Sequence, residues 1–226
     1  MIYDEVKKIA RALSLAAYCG QDAALDVKRL HRARKRLIRV IVVAGFLVLL
    51  FHRSSWPADS LMHETLTRTG VLLLAIAIVG RTWVWAHLGR RRHLQFVFDG
   101  PYSVVRHPLY AFSILGAAGV VAQTGSVIMM FLLSAAVWVV FNRVARIEEN
   151  DMASRFGEPY RIYLSRTPRF VPDLSLWTAP QVVSIEYRPL IKCLRDASLF
   201  ALAVPIFIVI DWAQRTGFLP VLFGLP

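Results

Sequence analysis

The sequence predicts an all-α fold, a polytopic membrane bundle of about five transmembrane helices. Two observations predict it. The 226 residues are 56% hydrophobic, with a mean hydropathy of +0.49, which is too apolar for an ordinary soluble domain. The net charge of +12 is concentrated beside the apolar runs, as expected when basic residues set membrane orientation. Nucleic-acid binding is therefore not expected, and no basic-aromatic interleaving of an RNA-binding sheet is visible.

Taken in order, residues 1–36 read as a cytoplasmic amphipathic helix, with Ile2, Val6, Ile9, Ala10, Leu13 and Ala17 on one face. The mixed charges there do not resemble a cleavable signal peptide. A basic block from Arg32 to Arg39 precedes the first apolar run, Leu37–Phe51. The run is short against the roughly 20 residues a span needs, and snorkelling Arg36, Arg39 and Arg53 extend it. His52–Thr69 reads as a periplasmic loop and Val71–Leu88 as the second span, with Trp83 and Trp85 suited to the interface and Arg81 either near the cytoplasmic boundary or a buried partner for a carboxylate. Arg90–His93 returns the chain to the cytoplasm.

Gly100–Pro108 reads as loop, because each Pro restricts the residue before it. Leu109–Ala122 and Ser126–Ala145 form a helical hairpin about Gln123–Gly125, with Gly116–Gly119 small enough for close packing. The second helix continues to about Arg155, where Phe156-Gly157 stops it. Tyr160–Asp196 is broken by four prolines and reads as cytoplasmic loop and short helix. Ser198–Trp212 is the last span, which leaves the N-terminus inside and the C-terminus outside. Residues 37–226 thus form one membrane domain. Cys19 and Cys193 fall in segments placed in the cytoplasm, where a disulfide is not expected, and no Cys/His cluster has zinc spacing, so no metal is expected.

Two polar clusters interrupt this pattern. The first is Asp99–Tyr110, the second Arg146–Tyr163. Arg106 and His107 precede Pro108 at a helix N-terminus, where free N–H groups and the dipole favour an anion. Glu148 and Glu149 accept from hydroxyls or an ammonium. Tyr102, Tyr110, Tyr160 and Tyr163 offer flat faces to a base or a cation. A ligand with a carboxylate, an amine, a sugar and an aromatic base suits the set. S-adenosylmethionine has all four, and other nucleotides broadly do too. The plainer alternatives are that Arg106 anchors lipid phosphate, that Glu148 and Glu149 pair with Arg143, Arg146 or Arg155 at helical spacing, that Phe156-Gly157 is simply a helix stop, and that Tyr160 and Tyr163 are interface anchors.

Gly100-Pro-Tyr102, Arg106-His107-Pro108-Leu-Tyr110, Glu148-Glu149, Phe156-Gly157, Tyr160 and Tyr163, in that order, resemble the signature of the isoprenylcysteine carboxyl methyltransferases and the related phospholipid methyltransferases. The resemblance covers about residues 88–172. It implies a membrane enzyme with S-adenosylmethionine bound in a cytoplasmic pocket between the two clusters. Carried over, Tyr102, Arg106, His107, Pro108, Tyr110, Glu149, Tyr160 and Tyr163 are cofactor candidates, and Arg146 and Glu148 are catalytic candidates near the acceptor. The acceptor would be lipidic or small and apolar, entering from the bilayer of a bacterial inner membrane. A carboxylate acceptor needs a desolvated cation such as Arg146, whereas an amine or thiol must lose a proton, with help from Glu148. A nicotinamide-dependent membrane reductase of sterol-reductase type and a non-catalytic membrane protein are the alternatives.

Overall fold

A computed structural model describes residue 40 and residues 43–88, 96–179 and 187–226. The expected amphipathic N-terminal helix, Cys19 and the basic stretch Arg90–His93 lie outside these residues. Residues 43–50 are helical and lead into a short strand β1, His52–Ser54.

Helix α1 runs over Leu61–Leu88 and so begins well inside the segment expected as loop. Its first turns are polar, and that polarity misleads a hydropathy reading. The helix is nevertheless well started. Ser60 Oγ accepts from the His63 N–H at 3.2 Å, as an N-cap does. The hydroxyls of Thr65 and Thr67 turn back onto the carbonyls of Leu61 and His63, so they satisfy themselves within the helix.

Residues 101–108, also expected as loop, contain one helical turn, α2, at Pro101–Val104. Helix α3 spans Pro108–Ala122 with Pro108 at its first position and His107 as N-cap. Ser126 then caps α4, Val127–Phe156, by accepting from the Met129 N–H. This helix is 30 residues long, or about 45 Å, against a hydrocarbon core of about 30 Å. Its last turns therefore emerge from the apolar layer. It stops at Gly157, whose φ of +63° suits a glycine C-cap. A short helix α5, Glu158–Arg166, follows directly.

The chain then forms a 3₁₀ turn at Leu174–Leu176. Helix α6, Tyr187–Ser198, continues through a second 3₁₀ turn into α7, Ala203–Arg215. From Leu190 to Arg215 this is one apolar rod of 26 residues. Among the described residues, this rod, α1 and α4 are long and apolar enough to cross a membrane, and α3 is a shorter apolar helix. The protein is thus an all-α membrane bundle, with one feature hydropathy does not encode. Strand β2, Phe223–Leu225, pairs in parallel with β1, placing His52 opposite Phe223.

Helices α1 and α3 approach closely through glycines. A Cβ on Gly119 would lie 2.8 Å from the Gly70 carbonyl, and one on Gly116 would lie 3.2 Å from the Ala77 Cβ. Small residues allow such approach, and dispersion between the backbones then holds the pair. This contact matters for the site because α1 ends at His87 and Leu88, beside Gly100, while α3 begins at the first polar cluster.

Candidate active site

The two clusters meet at one end of the bundle. Main-chain hydrogen bonds run from Arg106 N–H to the Pro168 carbonyl at 2.8 Å, from Asp173 N–H to Val104 at 2.9 Å and from Gly100 N–H to Thr178 at 2.8 Å. The Tyr163 hydroxyl donates to the Tyr102 carbonyl at 2.7 Å. Gly100 has a φ of +58° and lies flat against the His87 ring, where any side chain would clash. His87 Nε2 is 3.1 Å from Asp99 Oδ1. These bonds clamp residues 99–107 between the end of α1 and the segment after α5.

Glu149, only 4% exposed, is the hub. Its Oε1 accepts from Arg106 Nη1 at 2.9 Å, His107 Nε2 at 3.1 Å and Arg169 Nε at 3.0 Å. Its Oε2 accepts from Arg169 Nη2 at 2.6 Å. The Arg169 contact is bidentate, the strong geometry for a guanidinium and a carboxylate. It raises the pKa of Arg169 above its ordinary value, so this cation stays charged. Arg169 Nη1 also donates to Asn142 Oδ1 at 2.8 Å. A carboxylate only accepts, so His107 Nε2 carries the proton in its bond.

Glu148 stands beside this hub. The Tyr110 hydroxyl lies 2.7 Å from both of its oxygens, and His107 Nδ1 is 3.9 Å away. The rings of His107 and Tyr110 are stacked at 5.3 Å and nearly parallel. Phe141 backs Tyr110 at 4.8 Å, and Phe170 lies 6.2 Å from His107. These apolar walls shield one side of the polar cluster.

Every candidate residue but one has a place in this end of the molecule. Arg106, His107, Tyr110, Glu148 and Glu149 are joined directly. Pro108 is fully buried beneath them. Tyr160 and Tyr163 close on Phe96, each 5.0 Å away and edge-on, so they form a packed aromatic wall. Burial pushes both phenols above the ordinary tyrosine range, so they remain neutral. Tyr102 joins through its carbonyl. Arg146 is exposed and makes no hydrogen bond or ion pair among the described residues. The pairs expected at helical spacing are replaced by long-range ones, since Glu149 takes Arg106 and Arg169. Arg169, Phe96, the role of Asn142 and the pairing of Asp99 with His87 escaped the sequence reading. Arg169 lies in a proline-rich stretch with other arginines, and nothing local distinguishes it from them.

A donor carrying a carboxylate and an ammonium would find matching groups here. Arg106 Nε is buried without a hydrogen-bond partner among the described residues. A recess of about 610 Å³ opens beside Arg106, lined also by Thr167, Pro168, Val171 and Asp173. Glu148 is partly exposed and can accept from a cation. The group set therefore fits. A second cavity of about 540 Å³, lined by His52, Trp56, His63 and Gln214, lies at the β1–β2 end of the bundle.

A family model described as phospholipid methyltransferase matches residues 66–159, a stretch holding both clusters up to Pro159. A cobalt-zinc-cadmium resistance protein of Cupriavidus metallidurans is 34% identical over 181 residues, covering 80% of this chain and 82% of the relative. The chain belongs to the phospholipid methyltransferase family. A nickel-cobalt-cadmium resistance protein of Alcaligenes xylosoxydans xylosoxydans is also similar over most of its length, at 29% identity over 197 residues, 87% of this chain and 92% of the relative. The protein-S-isoprenylcysteine O-methyltransferase of Schizosaccharomyces pombe is 31% identical over 83 residues, 37% of this chain and 35% of that one. No solved structure matches. The family is one of methyltransferases, and its apolar helices make this member an integral membrane protein.

Proposed function

We propose that this phospholipid methyltransferase family member is an S-adenosylmethionine-dependent enzyme that methylates a lipidic or small apolar acceptor at the Glu149 cluster. The observation that carries the reading is the convergence on Glu149 of Arg106, His107 and Arg169 from two distant segments. Bound there, the donor supplies a methyl group already activated on a sulfonium.

The chain's own work is then orientation and exclusion of water. Aligning two reactants is worth roughly 7–11 kcal/mol in favourable cases. Glu149 has all its strong contacts taken within the protein, so its role is to position Arg106 and His107. Arg106 offers Nε to an anionic group. Glu148, oriented by Tyr110, faces a cation or takes a proton from an acceptor that must lose one. Phe141 and Phe170 shield the polar groups from water.

Basic residues favour a cytoplasmic position for this end, and Arg143, Arg146, Arg155, Arg161 and Arg166 all lie there. A bacterial inner membrane with the site facing the cytoplasm agrees with this and with the bacterial relatives. Their names concern resistance to divalent metals, so the acceptor is best sought in cells grown with and without cobalt, zinc and cadmium.

Calorimetric titration of the detergent-solubilised protein tests the reading. S-adenosylmethionine should bind, NADPH should not, and His107→Ala and Arg169→Ala should each weaken donor binding about tenfold or more, the scale of a lost charge-assisted contact. Binding of NADPH instead would favour a reductase. Unchanged donor binding in both variants would remove the site assignment. Lipid mass spectrometry of cells with and without the protein, searching for one added methyl group, identifies the acceptor.

A further inference from the structure

The end of the bundle away from Glu149 is tied together by long-range bonds that methyl transfer does not use. His63 and Leu88, near the two ends of α1, lie about 37 Å apart along the axis. Strand β1 pairs with β2, and the Ser55 N–H donates to the Leu225 carbonyl at 3.1 Å. The Gln214 amide on α7 donates to the carbonyls of Leu50 and His52 at 2.9 and 3.1 Å. Ser54 Oγ donates to the Gly125 carbonyl at 2.7 Å. The His63 ring lies so close to Gly125 that any side chain there would strike it. These residues surround the cavity of about 540 Å³, a size typical of small-molecule sites.

Two histidines in its lining lack partners. His52 is 3% exposed, and neither of its ring nitrogens has a hydrogen bond among the described residues. His63 Nδ1 is likewise buried and unbonded among them. Burial holds the His52 pKa below its ordinary value, and the Leu225 backbone offsets this only in part. The ring is therefore neutral near pH 7 in the empty cavity, with one donor and one acceptor unmet. Burying such groups unmet is costly.

The other lining groups describe what would meet them. Arg53 and Arg68 line the cavity from exposed positions. Arg68 is paired with Glu64 at its own end of α1, and Asp211 with Arg215 on α7. The charges left over are Arg53 and whatever protons the two imidazoles take up, so the balance favours an anion. Leu49, Phe207 and Ile210, from a buried apolar cluster, add an apolar wall, which suits an organic body. A metal ion fits less well. Among the described residues, no three His, Cys, Asp or Glu side chains come together as a coordination shell.

We propose that this cavity is a second ligand site, which takes a small organic carboxylate with an apolar body, its carboxylate met by His52, His63 and Arg53. The site is separate from the Glu149 cluster and does not rest on the methyl-transfer reading. An anion beside an imidazole favours the protonated ring. An imidazole that is neutral in the free protein and charged in the complex takes up a proton on binding, so affinity rises as pH falls. The remaining charged groups at the cavity, Arg53, Arg68 with Glu64, and Asp211 with Arg215, are of types that ordinarily titrate outside the window from about pH 6 to about pH 8.

The test titrates phenylbutyrate, and separately its uncharged primary amide, calorimetrically into the full-length protein in phosphatidylcholine nanodiscs, with empty discs subtracted. Near pH 6 the wild type should bind the carboxylate about tenfold or more tightly than the amide, and near pH 8 that preference should narrow. His52→Gln should remove the pH dependence and most of the preference. Should His52→Gln fail to insert, Arg53→Gln, at an exposed position, is read instead: it should weaken carboxylate binding severalfold and keep the pH dependence. Equal binding of the two probes by the wild type, or binding of neither, as for a cavity that holds only water, overturns the proposal. So does a carboxylate preference that the variant leaves unchanged. Zinc chloride is titrated in the same discs. Zinc binding that tightens as pH rises, displaces phenylbutyrate and is lost with His52→Gln would assign the histidines to a metal instead.

Discussion

At the residue scale, Glu149 and Glu148 are adjacent in sequence and opposite in circumstance. Glu149 is buried and satisfied by two guanidinium groups and a histidine, whereas Glu148 is partly exposed and held by the Tyr110 hydroxyl. Removing a buried carboxylate strands its cations, which is worth about 3–5 kcal/mol when a buried pair is broken. Glu149→Ala should therefore lower the unfolding midpoint strongly in detergent and abolish donor binding with it. Glu148→Gln should leave the midpoint nearly unchanged while reducing methyl transfer. Equal midpoints for the two variants would show that Glu149 is not the structural hub. Arg169→Lys should behave much like Arg169→Ala in donor titrations, because an ammonium cannot reproduce the bidentate contact. Recovery to wild-type affinity would show that charge alone suffices there.

At the element scale, α1 and α3 are held by surfaces with no room for side chains. Gly119→Leu should separate them and leave little folded protein, while Leu115→Ala, on the exposed side of α3, should be tolerated. Size-exclusion profiles of the two variants in detergent check this. The α4–α5 junction gives a cleaner backbone case. Gly157 has a φ of +63° and nothing within 4 Å of a would-be Cβ, so Gly157→Ala meets strain without any clash. With ψ at −137° the position lies outside the left-handed helical region, and the substitution should cost about 1–3 kcal/mol, read as a fall in midpoint. Gly100→Ala, which collides with the His87 ring, should cost more and displace the first cluster. Elements were legible where their ends carry chemistry. Pro108 announced the start of α3, and Phe156-Gly157 the end of α4. The start of α1 was missed because its threonines satisfy their own hydroxyls inside the helix, so polar composition there does not mean loop.

At the scale of the whole molecule, the bundle has two chemically distinct ends. One holds the cluster and most of the described basic residues, and the other holds β1, β2 and the cavity lined by His52. The proposed orientation puts the first in the cytoplasm. In a Cys19→Ser, Cys193→Ser background, Ser165→Cys should react with a membrane-impermeant maleimide only in inside-out vesicles, and Ser55→Cys only in right-side-out vesicles. The reverse pattern would place the cluster outside, away from soluble cofactor.

The sequence by itself determined that this chain is a membrane helix bundle of a methyltransferase family, and it marked the two segments that carry the polar chemistry. Hydropathy, helix caps and ordered motifs are local signals, so they survive without a structure. Only the tertiary structure decided which charges meet. Glu149 had three arginines within two helical turns on its own helix, Arg143, Arg146 and Arg155, yet it pairs with Arg106 and Arg169, 43 and 20 residues away. Arg146, the cation best placed by motif, faces outward, and Arg81 donates to Ser113 and lies over the Phe200 ring. Arginines look alike in sequence, and their partners are set by the helix faces that packing brings together and by the cost of leaving a buried charge alone.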